Sequence, residues 1–280
     1  MTSSRKQVLV HLDASRASAL RLDVARRLAQ QQGAALAALY ATVPVYLELP
    51  YAPDGAPGVI ASLMEVDNER RAAARKRFDE AMKTPGPAAT WGEASGAPLI
   101  PAFAEQAFCA DLLVLGQRDP DDPGAWSVPA DFVESVLVAS GRPGLVVPYG
   151  GWTGPIGSNV AIAWKPSPEA ARAVTAALPL LRAASQVHIL IWGEETEAQV
   201  QGGGLSLEGY LGLHGVRCTS HRGGPEPEAL GEIMLSRVFD LGADLLVMGC
   251  YGHSRAREWV LGGASRTILS SMTLPVLMAH

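Results

Sequence analysis

The chain has 280 residues, 48% of them hydrophobic and 18% charged, with a formal net charge of −5 at pH 7. That balance belongs to a soluble globular protein with room for two ordinary domains, and it excludes a basic nucleic-acid-binding surface. No apolar segment reaches membrane-spanning length, so no membrane partner is expected. Met1 to Lys6 lead directly into a strand-like run with no signal-peptide pattern, which makes the cytoplasm the expected compartment. Cys109, Cys218 and Cys250 are too few and too scattered for a disulfide framework.

In chain order, Val8 to Leu12 reads as a buried strand, followed by Asp13-Ala14-Ser15. A helix is predicted over 17–31 with Leu20, Val24 and Leu28 on its apolar face, stopped by Gly33. Ala34 to Tyr40 is a second strand, and the Pro- and Gly-rich stretch 44–58 a loop. A charged, periodic helix follows over 59–82, then a weakly marked strand over 88–91 and a helix over 98–108. Asp111 to Gly116, DLLVLG, is a strand, 128–140 a helix, and Leu145 to Pro148 a last strand.

After a linker over 150–158 the pattern starts again. Strands are predicted over 159–164, 187–192, 216–221, 244–249 and 274–279, with helices over 169–183 and 225–241 and a polar, Gly-rich segment over 193–215. DLLVMG at 244–249 repeats DLLVLG at 111–116. This is an internal duplication, with domains over 1–149 and 158–280. Strands alternating with helices imply parallel sheets covered on both faces.

The stretch from Asp244 to Arg266 carries the chemistry. A buried strand ends at Gly249; Gly252, Gly262 and Gly263 punctuate the loop; Ala264-Ser265-Arg266 opens a helix. Glycines let backbone N–H groups approach a phosphate, and a helix start adds unsatisfied donors and partial positive charge. Ser265 adds a hydroxyl for a ligand or for capping. A plain strand-to-helix connection has the same look. The spacing is neither a P-loop nor a dinucleotide fingerprint.

Gly249-x2-Gly252-x9-Gly262 resembles the nucleotide loop of the universal stress protein family, G-x2-G-x9-G-[S/T], over two tandem copies. The resemblance implies two doubly wound parallel five-stranded sheets of order 3-2-1-4-5, related by a pseudo-two-fold axis. It implies an adenine nucleotide, ATP or AMP, with Mg²⁺ accompanying only ATP, at the carboxyl ends of strands 1 and 4. Two positions depart from the family pattern: Gly263 stands where Ser or Thr belongs, and Lys165 where the strand-1 acid belongs. The binding set implied is Gly249, Gly252, His253, Gly262, Gly263, Ser265, Lys165 and Trp164. Lys165 either swings toward a phosphate or lies in solvent.

The first half keeps the acid, Asp13, and Ser15 two residues later, but loses the loop. Asp119 replaces the second glycine, Pro120 and Pro123 remove donors, and three carboxylates would repel a polyphosphate.

Cys250 is either a redox handle or a small filler, and Arg255 either reaches a phosphate or joins Arg257 and Glu258 in a solvated patch. His188, His214 and His221 show no metal-ligand spacing, and no nucleophile or general base stands out. The expected function is nucleotide binding in a stress response, with hydrolysis at most slow. The alternative is a nucleotide-independent interaction module docking a protein partner. The resemblance further implies that the last strands pair antiparallel, burying Val146, Val276 and Met278 in an intramolecular pseudo-dimer, with or without a homodimer of whole chains.

Overall fold

The structure, a computed structural model, describes residues 6–45, 57–94, 98–193, 204–250 and 263–280. Two compact units divide the chain, Met1–Trp152 and Thr153–His280.

The first unit contains β1 (Gln7–Leu12), α1 (Ala17–Gln32), β2 (Ala35–Ala41), α2 (Pro57–Met82), β3 (Ala89–Ala94), α3 (Leu99–Ala107), β4 (Leu112–Gly116), α4 (Phe132–Ser140) and β5 (Gly144–Val147). The second contains β6 (Asn159–Ala163), α5 (Pro168–Ala183), β7 (Gln186–Ile191), α6 (Leu207–Leu213), β8 (Thr219–Arg222), α7 (Leu230–Asp240), β9 (Leu245–Gly249), α8 (Ala264–Ser271) and β10 (Val276–Ala279). Strand order is β3-β2-β1-β4-β5 in the first unit and β8-β7-β6-β9-β10 in the second. Every pairing inside each unit is parallel. Both are the expected doubly wound 3-2-1-4-5 sheet.

The central strands are apolar runs because both sheet faces are covered. Leu113, Val114 and Leu115 of β4 are fully buried, as are Leu245, Leu246 and Val247 of β9. The aspartate that opens each of these runs has a structural duty. Asp111 accepts from the Gln7 amide at 2.7 Å; Asp244 accepts from the amides of Gly157 (2.7 Å), Ser158 (3.0 Å) and Asn159 (3.0 Å). In both units it ties the fourth strand to the start of the first, using charge-assisted bonds.

Several elements differ from the sequence reading. Leu20, expected on the apolar face of α1, is 45% exposed, whereas Arg21 is 3% exposed. Val24 and Leu28 are buried as expected. Helix α4 begins at Phe132 because Pro123–Ser127 forms a 3-10 turn capped by Asp122, after which Val128 is extended. Within the expected polar loop before β8, Ser206 caps a short helix, accepting from the Gly209 amide at 3.0 Å. Gly215, at φ 76°, ends that helix, and the Val216 amide bonds back to Leu211. Val216 therefore closes α6, and β8 starts only at Thr219. Pro225 and Pro227 precede a turn at Glu228 and Ala229, and α7 starts at Leu230.

Candidate functional site

In an open parallel sheet the ligand crevice lies beyond the carboxyl ends of the strands where the order reverses, here β6 against β9 and β1 against β4.

In the second unit Ala163 pairs with Met248, so Trp164 and Gly249 leave the sheet side by side. The half-buried Trp164 donates its amide to Leu190 at 2.9 Å, keeping its backbone in line with the strand. Lys165 points away: its Nζ bonds Glu226 at 2.9 Å, and its side chain is 73% exposed. Ser167 caps α5 through the Ala170 amide at 3.2 Å, with Pro168 in the first turn. Gly249 packs on this helix start. A Cβ there would lie 2.7 Å from the Ala170 nitrogen and 3.0 Å from the Glu169 carbonyl carbon. Glu169, buried in the first turn of α5, sets a carboxylate in this neighbourhood.

Helix α8 opens from Gly263, at φ −57° and ψ 155°, and no side chain among the described residues caps it. The Gly263 carbonyl takes the Arg266 and Thr267 amides, leaving those of Ala264 and Ser265 as donors among the described residues. Ser265 is buried in that first turn. Gly252, His253 and Gly262 lie outside the described residues, as do Arg255, Arg257 and Glu258. Cys250 is buried, donates its amide to Ala279 at 2.8 Å and accepts from His280 Nδ1 at 3.0 Å.

The equivalent place in the first unit is crowded with its own side chains. Asp13 is 5% exposed; its carboxylate accepts from the Ser15 amide at 2.9 Å, from the Ser15 hydroxyl, and from Arg21 Nη2 at 2.9 Å. Burial would raise its pKa, but the charge of Arg21, aided by His11 and these bonds, holds it at about 2. His11 lies under the cluster between Phe103 and Phe132, with Nε2 2.9 Å from the Ala41 carbonyl. A carbonyl only accepts, so Nε2 carries the proton. Burial first, and the Arg21 charge second, push the imidazole down to about 4. Asp122 accepts from the Arg16 amide at 2.6 Å and pins the β4 loop to the β1–α1 turn.

Solved structures align with nearly the whole chain. A universal stress protein from Archaeoglobus fulgidus DSM 4304 superposes with a TM-score of 0.65 at 16% identity, covering 98% of this chain and 96% of the other. A candidate universal stress protein from Pseudomonas aeruginosa UCBPP-PA14 gives 0.55 at 14% identity, covering 98% and 92%. A protein of unknown function from Pseudomonas aeruginosa PAO1 gives 0.55 at 15% identity with the same coverage. The fold is that of a tandem universal stress protein. No protein-family model matches the chain, and no curated protein matches it by sequence.

Within this universal-stress-protein fold, the structure brings Trp164 and Gly249 together at the second switch point and sends Lys165 to Glu226. The start of α8 at Gly263 is amide-rich and free of side-chain bulk, whereas the space over the Gly249 Cα is taken by the start of α5. Lys165 stands where the first unit has Asp13. Among the described residues no cluster of three or more His, Cys, Asp and Glu could hold a metal ion, and no helix is long and apolar enough to cross a membrane. Two residues escaped the sequence reading. Glu169 is marked only by its place after Ser167-Pro168. Arg21 is marked only by its spacing of eight residues from Asp13.

Proposed function

We propose that the chain is a tandem universal stress protein that binds an adenine nucleotide in its second unit. The phosphates lie against the glycine loop from Gly249 to Gly252 and the amides of Gly262 to Ser265, the Cys250 amide itself being taken by Ala279. The base enters between the ends of β6 and β9, beside Trp164. What carries the reading is that β9 ends and α8 begins on glycine, the helix start uncapped, at the switch point, with the G-x2-G-x9-G spacing between them. ATP and AMP share the needed groups; Mg²⁺ would accompany ATP through its phosphates. The role is cytoplasmic sensing rather than turnover, with hydrolysis at most slow. Titration calorimetry of the full chain with ATP, ADP and AMP tests this. Saturable heat that Gly252→Asp abolishes supports it; no heat at millimolar nucleotide with folded protein removes it.

A second reading is a nucleotide-independent interaction module. It draws on Lys165 being paired with Glu226 and on the buried, acidic Glu169, whose Cβ lies 3.0 Å from where a Cβ on Gly249 would stand. Under that reading Gly252→Asp leaves biological function intact.

A further inference from the structure

The first unit's crevice should be as open as any switch point in this fold, yet one side chain lies across it. Arg21 leaves the second turn of α1, is 3% exposed, and runs beneath the end of β4. A Cβ on Gly116 would collide with its Nη1 and lie 2.9 Å from its Cζ, so this strand end accepts only glycine while the guanidinium is there. Nη2 is bonded to Asp13, the strand-1 acid of the family pattern. Nε is buried with no hydrogen-bond partner among the described residues. A cation so enclosed persists only because a carboxylate is held against it.

The roof is closed as well. Gly124 sits so near the β1–α1 turn that a Cβ would be 2.6 Å from the Ala14 carbonyl oxygen. Arg16 is tied to Asp122 through its amide at 2.6 Å and its Nε at 3.4 Å, and reaches Asp119 at 3.5 Å. Arg77 adds a bond from α2 to the Ser15 carbonyl at 3.3 Å. Among the described residues the second unit differs at the matching positions. Counting from Asp13 and Lys165, Arg21 corresponds to Ala173, a fully buried small residue. The acid and the arginine are present together in one unit and absent together from the other.

We infer that the Arg21 guanidinium is a tethered occupant of the first unit's ligand crevice, held by Asp13, so that the chain offers one nucleotide site and not two. The count of one rests on the nucleotide binding proposed above; the occupancy of the crevice does not. Removing the side chain leaves an anionic hole, lined by Asp13 and Ser15, shaped for a small planar cation.

The test has three arms, all on the full chain. In arginine side-chain NMR of the unaltered protein, the Arg21 Nε–H should exchange with water far more slowly than that of Arg75, whose side chain is half exposed. Equal exchange overturns the proposal. Arg21→Ala should lower the melting temperature, and millimolar methylguanidinium should restore part of the loss where equal sodium chloride does not. No selective rescue overturns it. Should Arg21→Ala fail to fold, the exchange measurement on the unaltered protein decides the proposal. Equilibrium dialysis with ATP should give one equivalent per chain. Two equivalents overturn the plug; none removes the nucleotide reading alone, and the first two arms then decide the plug.

Discussion

Acidifying the protein should expose His11. Its imidazole is fully enclosed, faces Asp13 at 3.9 Å and Arg21 beyond, and is pushed down from 6.5 to about 4. Between those values the unfolded chain takes up a proton that the folded chain refuses. Stability therefore rises with pH across this window: it is fully present above about 6.5 and lost as pH falls through about 4. At about 1.4 kcal/mol per pH unit, the drop from 6.5 to about 4 amounts to about 3 kcal/mol. Asp13 continues the trend lower, since its depressed value of about 2 gives stability that is lost below 3.8. Urea unfolding of the full chain and of His11→Asn, from pH 7 to pH 4, isolates the first effect. Asparagine keeps a donor for the Ala41 carbonyl but does not titrate. The variant should be less stable at pH 7, and the gap should close by about 3 kcal/mol at pH 4. A gap that stays constant, or an imidazole signal titrating near 6.5 by NMR, would refute the reasoning.

Ser167→Ala removes the cap of α5 and should cost about 1 kcal/mol in urea unfolding, with Ser167→Asp restoring most of it. Gly249→Ala drives a Cβ against the backbone of Ala170 and Glu169, which cannot yield as a side-chain tip would. A loss of roughly 1–3 kcal/mol is expected from the same assay. Arg237 can only donate to His221 Nδ1, at 3.3 Å, so His221 must carry its proton on Nε2 and donate to His188 Nδ1 at 3.1 Å. Nitrogen-detected imidazole NMR should find both rings protonated on Nε2 at neutral pH, with His188 titrating below 6.5 because burial, and then the nearby His221 and Arg237, lower it.

The architecture was legible because strands buried on both faces must be apolar runs, and two such runs, DLLVLG and DLLVMG, repeat in register. The glycine at each run's end was legible too, though not its reason: Gly249 makes room for a helix start and Gly116 for a guanidinium. Arg21 was unreadable. On a helical wheel a charged residue beside Leu20 is assigned to solvent, and only the fold brings it against Asp13 and the end of β4. The same packing leaves Leu20 exposed. Helix α6 was hidden in a polar, Gly-rich segment whose short apolar stretch marks no period. The commitment of Lys165 to Glu226 joins residues 61 apart in the chain, beyond any local pattern.

The most direct measurement is a crystal structure of the full chain grown with millimolar ATP. The account predicts nucleotide density beyond β6 and β9, phosphates against Gly249 and Gly263 to Ser265, with Arg21 still on Asp13 in the first unit. Density at the ends of β1 and β4 with Arg21 displaced, or none in either unit, would contradict it.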